Sequence, residues 1–216
     1  MGVEDDKRAA AEAAASEVAD GMVVGLGTGT TASYLVPALA SRRPDARYVA
    51  TSPTTATAAR RAGLDVIDFD DVERLDLAID GADQVAASRW LIKGGGGAHT
   101  REKIVASAAS RFVVIVSSNK LVDRLSPPVP LELLAFGIDA TLRLIGAIGP
   151  VRVRDVPRSP DGGVIADLMT PFDDPGVLAG RLDSLAGVVA HGLFPPALVS
   201  EVIVGRDGTV LPGPTP

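Results

Sequence analysis

The sequence predicts an α/β fold: a doubly wound, mostly parallel sheet domain with a second, smaller ferredoxin-like α+β domain. Three observations carry that expectation. Short apolar, often β-branched runs alternate with Ala-rich helical segments through residue 120, the pattern of parallel strands joined by crossover helices. A proline cluster, SPPVP at 126–130, then interrupts the pattern as a hinge, because clustered prolines suit neither helix nor strand. Beyond it the order becomes strand, helix, two strands, helix, strand, which is the ferredoxin-like arrangement. The expected division is an α/β domain of residues 1–127 plus 200–216 and a small domain of residues 128–199.

Residues 4–19 are rich in Ala with acids at the start, which favours a helix, and Gly21 ends it. MVVGL at 22–26 reads as a short strand running into Gly27, Thr28, Gly29, Thr30 and Thr31, with apolar residues at helical spacing afterwards. Strand, Gly-Thr loop and helix together present backbone NH groups to a phosphate. A plain strand-to-helix turn would look the same. A P-loop needs a Lys beside its last Thr, and a dinucleotide fold needs an acid about 20 residues on; neither is present. Pro37 should kink the following helix or shorten its first part. YVATS at 48–52, DVIDF at 65–69 and LDLAI at 75–79 read as further strands, with the Ala-rich helix TTATAARRAG between the first two. RFVVIVSS at 111–118 is a β-branched run expected to be a buried parallel strand, and Lys120 follows its carboxyl end.

In the second domain LELLAF reads as a strand and GIDATLRLIGAI as a helix. VRVRDV and VIADLM form a strand pair across Pro160, Asp161, Gly162 and Gly163, DPGVLAGRLDSL a helix, and VVAHGLF one closing strand. SEVIVGRDGTVLPG is a hairpin turning at Arg206, Asp207 and Gly208 and returning to the first sheet.

Composition narrows the function. A length of 216 residues and a hydrophobic fraction of 46% can fill a substantial core. A formal net charge of -6 without a basic cluster argues against nucleic acid or an anionic membrane as partner. With no cysteine, disulfides, thiol catalysis and thiolate metal sites are excluded. His99 and His191 lie too far apart to make a local metal motif. The acidic amino terminus does not resemble a signal peptide, and no apolar run nears the roughly 18 residues of a membrane span. A cytoplasmic protein is the expectation.

Residues 80–103, DGADQVAASRWLIKGGGGAHTREK, concentrate the chemistry. Four glycines in a row, Gly94, Gly95, Gly96 and Gly97, cost conformational entropy and suit a backbone that closes on a ligand. A flexible surface connection would also explain them. Lys93 precedes the run, so an ammonium and loop NH groups can surround an oxyanion or phosphate. Thr100 is expected to cap a helix over residues 101–110, placing Glu102 near the positive end of its dipole. There Glu102 is either a solvated carboxylate that suits a helix start or a general base facing the loop. Asp80 and Asp83 follow LDLAI and should lie at the carboxyl end of a strand, where open parallel sheets bind ligands.

GLGTGTT (25–31), TSPTT (51–55), DGAD (80–83), KGGGGAHTREK (93–103), SSNK (117–120) and GLF (192–194) occur in one order along nearly the whole chain. In these motifs the sequence resembles ribose-5-phosphate isomerase of type A. The resemblance implies Glu102 as the proton-abstracting base, Asp80 and Asp83 as substrate-binding acids and Lys93 as a substrate-binding loop lysine; the enediolate chemistry of such an isomerase would also make Lys93 and Asp80 catalytic partners of Glu102. It further implies that Gly81, Ala82, Gly94, Gly95, Gly96 and Lys120 bind substrate, with Thr28, Gly29, Thr30 and Thr31 forming another binding loop. A sugar phosphate is the implied partner, with no metal or organic cofactor, and a homodimer or homotetramer the implied assembly. Gln84, Ser117 and the SPDGG turn depart from the family pattern. A sugar-phosphate sensor without turnover, an amino-sugar phosphate deaminase and a coenzyme A transferase remain as alternatives, the last two disfavoured by the pairing of DGAD with KGGGGA.

Overall fold

The computed structural model describes residues 2–215. Its central sheet is built from β1 (Val23–Leu26), β2 (Arg47–Ala50), β3 (Asp65–Val66), β4 (Leu75–Asp80), β7 (Ala109–Ser117), β14 (Glu201–Arg206) and β15 (Thr209–Pro212). The strand order is β15-β14-β7-β4-β1-β2-β3, parallel throughout except for β15. Side chains alternate across the sheet with the period of two that strands impose. Leu77, Ile79, Val113 and Ile115 face α1 (Val3–Ala15) and α2 (Leu35–Arg42), whereas Ala78, Val114 and Val116 face α4 (His99–Ala108). The sheet is thus wound on both faces, as the alternating pattern predicts. From β1 the chain passes to β2 and β3 on one side and returns through β4, β7 and β14 on the other. That switch point opens a crevice at the carboxyl ends of β1 and β4.

The small domain holds β9 (Val129–Leu133), α5 (Ile138–Gly146), β10 (Val151–Val153), β11 (Val164–Leu168), α6 (Pro175–Asp183) and β12 (Val188–His191). Its sheet is antiparallel in the order β10-β11-β9-β12, the ferredoxin-like arrangement. Leu131, Leu133, Ala166 and Leu168 pack with Ile145, Leu178 and Leu182 of the two helices. The opposite face of β9 turns toward α4.

Several local expectations are corrected. The first helix ends at Ala15, not near residue 19, and DVIDF supplies only the two-residue β3 before a 3-10 turn. α3 (Pro53–Arg61) starts earlier than TTATAARRAG, since Ser52 caps it and Pro53 fits the first helical position. Pro37 falls in the first turn of α2, where it lacks no needed donor, and a 3-10 turn over Ala32–Tyr34 precedes it. The SPPVP hinge is partly strand: Val129 and Pro130 lie in β9, where the Pro130 carbonyl accepts from Gly192 N at 2.7 Å. VVAHGLF is two strands, because Gly192 breaks it between β12 and β13 (Leu193–Phe194). β13 joins β5 (Gln84–Ala86), β6 (Leu91–Ile92) and β8 (Leu121–Val122) in a third sheet, order β13-β6-β5-β8, that short runs between motifs did not signal. The hairpin at Asp207 and Gly208 is as expected, with φ of 52° and 72° at the two turn residues.

Candidate active site

β4 ends in Asp80, which is 3% exposed, in the crevice beside the loop that follows β1. Its Oδ1 accepts from the NH groups of Thr28 (3.1 Å) and Gly81 (2.7 Å). Lys93 follows β6 and is 2% exposed; its Nζ donates to the Gly81 carbonyl and lies 2.9 Å from Asp80 Oδ2 and 3.2 Å from Glu102 Oε2. Both contacts are nearly fully buried ion pairs, with no other partner among the described residues on Asp80 Oδ2 or Glu102 Oε2. Glu102 reaches the cluster from the first turn of α4 and is 5% exposed.

Burial pushes the Glu102 carboxyl up to about 8; the neighbouring Asp80 charge adds to this and Lys93 opposes it. Asp80 is raised too, chiefly by burial, against Lys93 and the Gly81 and Thr28 NH groups. Burial alone would lower Lys93, but the Asp80 and Glu102 carboxylates outweigh it and hold the ammonium above the ordinary lysine range. One cation therefore serves two acids in a dry site. The Phe194 ring lies under both Lys93 and Lys103, at 5.5 Å and 5.0 Å from the ring centroid.

The residues singled out in sequence converge here. Thr28, Gly29, Thr30 and Thr31 form one wall, Gly81, Ala82 and Asp83 the floor, and Gly94, Gly95 and Gly96 the facing lip, with Lys93, Glu102 and Lys120 between them. A larger groove of about 820 Å³ lies beyond the Gly loop, but it is open, and its Arg152 and Arg158 are exposed. The buried acid–base groups belong to the smaller cleft.

Contacts refine several expectations. The Asp83 Oδ2 accepts from Gly95 N at 2.7 Å, so this acid ties down the Gly loop. The Thr28 hydroxyl meets Thr51, Ser52 and Thr55 hydroxyls at 2.9, 2.8 and 3.0 Å, an internal cluster that holds the wall. Thr100 does not cap α4: the N-cap position is Ala98, without a side-chain cap, and the Thr100 hydroxyl instead donates to Glu132. The helix also ends at Ala108, with Ser110 already in β7. Gln84 pairs through its amide with both backbone groups of Ser126 (2.9 Å each), and Ser117 donates to Asn119 at 2.6 Å.

Other contributors carried little signal. Arg154 holds the Gly94 and Gly95 carbonyls at 3.0 and 2.9 Å while pairing with Asp167, yet in sequence it is one charge within VRVRDV. Phe194 was legible only as part of GLF. TSPTT had the clearest signal, four hydroxyls in five residues, without a role attached.

Fold and site together define an α/β protein with a buried carboxylate–ammonium–carboxylate cluster at the switch point of its parallel sheet. Residues 47–209 match the family model described as ribose 5-phosphate isomerase A (phosphoriboisomerase A). Ribose-5-phosphate isomerase A of Caulobacter vibrioides (strain NA1000 / CB15N) is 45% identical over 224 residues, covering 98% of each chain. The chain belongs to the ribose 5-phosphate isomerase A family, and it is an isomerase. Among solved structures, ribose 5-phosphate isomerase A from Methanocaldococcus jannaschii superposes with a TM-score of 0.90 at 34% identity, covering 98% of this chain and 100% of that one. A D-ribose-5-phosphate isomerase in complex with phospho-erythronic acid gives 0.91 at 33% identity, covering 98% of both.

Proposed function

We propose that this protein interconverts ribose 5-phosphate and ribulose 5-phosphate by proton transfer through an enediolate, with Glu102 as the base. The observation that carries this reading is the Glu102–Lys93 contact of 3.2 Å, nearly fully buried, inside a cleft walled by the Gly-Thr and Gly loops. In the aldose-to-ketose direction the Glu102 carboxylate takes the proton from C2. The electron pair moves into the C1–C2 bond and the carbonyl oxygen becomes an enediolate oxyanion. Lys93, with loop NH groups and Asp80, stabilises or protonates that oxygen, and preorganised charge of this kind is commonly the largest catalytic contribution. The C2 hydroxyl proton passes to the C1 oxygen by way of Lys93 or Asp80, and Glu102 returns its proton to C1 as the C2–O bond becomes the ketone carbonyl. A carboxyl that titrates near 8 both accepts and donates at neutral pH.

Asp80 also assists opening of the furanose ring through Oδ2, the oxygen that faces Lys93. Lys120 and the loop of Thr28, Gly29, Thr30 and Thr31 hold the phosphate, and Asp83 with Gly81, Ala82, Gly94, Gly95 and Gly96 shapes the sugar site. The relative solved with phospho-erythronic acid supports a small phosphorylated sugar-like ligand. Family membership supports a role in the non-oxidative branch of the pentose phosphate pathway, and we propose a cytoplasmic enzyme that works as a homodimer or homotetramer.

The test is conversion of ribose 5-phosphate by the purified protein and by Glu102→Gln, which keeps size and removes the base. Turnover should fall by about 10²–10⁴-fold with binding retained. Turnover by the variant at the parental rate would overturn the role of Glu102. Binding without turnover by the parent would favour a sugar-phosphate sensor.

A further inference from the structure

The helix that carries Glu102 begins without a side-chain cap, its first turn closed from within by the backbone bond from Glu102 N to the Ala98 carbonyl at 3.0 Å. It is also fixed from the other domain. Glu132, 2% exposed on the face of β9 turned toward α4, accepts the Thr100 hydroxyl on one carboxylate oxygen and the Ser159 hydroxyl on the other. Ser159 organises the β10–β11 turn, its hydroxyl accepting from Gly163 N at 3.0 Å and from Asp161 N at 3.3 Å. Asp161 then takes both donors of Arg101 at 2.7 Å each. Gly163 leaves the space that the Glu132 carboxylate fills, since a Cβ there would collide with it. Thr100 and Arg101, the two residues before Glu102, are thus both gripped by the small domain.

Packing alone does not call for a carboxylate at this position. Leu131 and Leu133 fill the hydrophobic core from the other face of the strand, and an apolar side chain would bury at lower desolvation cost. What a carboxylate with two hydroxyl donors adds is a defined geometry.

We propose that Glu132 is a positioning residue, by which the small domain sets the first turn of α4 and hence where Glu102 stands relative to Lys93. The inference rests on the reading of Glu102 as the base. Glu132→Met keeps volume and removes both acceptors. Glu132→Gln still satisfies both hydroxyls, its Oε1 accepting from Ser159 and its Nε2 donating to the Thr100 hydroxyl. Thr100→Val cuts the same link from the helix side with little change in shape.

The experiment measures kcat and KM for ribose 5-phosphate isomerisation in these three variants, beside Glu102→Gln and the parent, with Tm recorded for each. A base displaced by about 1 Å costs up to roughly 100-fold in rate. Glu132→Met should therefore lose about 10- to 100-fold in kcat, with KM within about threefold of the parent. Thr100→Val should lose kcat in the same way, and Glu132→Gln should recover most of it. A folded Glu132→Met with parental kcat, or one whose loss lies entirely in KM, would overturn the proposal. Should Glu132→Met not fold, parental kcat in Thr100→Val has the same force. If Glu102→Gln turns over normally, the base and its positioning residue fall together. If it is inactive while Glu132→Met and Thr100→Val run at the parental rate, only the positioning role falls.

Discussion

Lys93 stands between two carboxylates at almost complete burial, so the three groups cannot titrate independently. With all three ionised the cluster carries one net negative charge in a dry site, and Glu102 keeps its proton up to about pH 8. A base acts deprotonated, so kcat/KM, which reports the free enzyme, should rise with pH and level off above about 8. Neither histidine supplies that limb. Burial pushes His99 down to about 3 and His191 down to about 4, with Lys103 repelling both. Lys103, pushed down by burial, also titrates near 8, but Asp80 does not act on it. Asp80→Asn should therefore move the limb to lower pH if Glu102 is responsible; an unmoved limb would assign it elsewhere. Stability follows the opposite sign from activity. Because the folded pKa of Glu102 lies above the unfolded value, its contribution to stability is complete below about pH 4.5 and is lost as pH rises through about 8. The Tm of Glu102→Gln should gain on the parent between those values.

Among the elements, the loop after β1 and the end of β4 share one small volume. Gly27 has no room for a side chain, because a Cβ would collide with the Asp80 carboxylate. Gly27→Ala should push Asp80 off Lys93 and off the Thr28 NH, lowering kcat/KM by about 100-fold while the far-ultraviolet circular dichroism stays parental. Unchanged kinetics would show that Asp80 needs no fixed position. Gly94 is constrained twice over, with φ of 100° and the His99 ring against its missing side chain. The lip of the cleft is thus held by Asp83 through Gly95 N, by Arg154 through two carbonyls, and by the packing of Gly94 on α4. A glycine run suggests flexibility in sequence. In the fold it is a backbone tied from three sides.

At the scale of the molecule, the two ends of the chain close the central sheet. α1 lies across β14 and β7, Gly208 N donates to Asp6 Oδ1 at 3.0 Å, and Arg111 pairs with Glu17 and Glu201 at 2.8 and 3.1 Å. The approach is close at Gly205, where a Cβ would strike the Asp6 backbone. Gly205→Ala should cost about 1–3 kcal/mol by overpacking, which for a chain of this size lowers Tm by about 2–4 °C per kcal/mol. The cleft lies elsewhere, at the ends of β1 and β4, so kcat should stay parental below the transition. A parental Tm would mean that α1 is free to shift off the sheet.

The alternation of β-branched and Ala-rich segments was enough to predict the wound sheet, because strand and helix periods are local properties of the chain. Glycines, acids and Lys93 clustered between residues 80 and 103 marked the cleft for the same reason: all come from adjacent strand ends and loops. Boundaries were less secure. Whether VVAHGLF is one strand or two depends on Gly192 meeting Pro130 and Lys93, contacts across 60 residues or more that no local pattern records. Thr100 read as a cap because a hydroxyl before a helix usually accepts from first-turn NH groups, but α4 starts at His99, so Thr100 lies inside the first turn and its hydroxyl donates to Glu132 from another domain. Local pattern was thus enough for the fold class and for most of the residues that line the cleft. Which of them face each other under burial, and so which carboxyl keeps its proton, emerged only on folding, because desolvation and charge proximity arise from distances between distant segments.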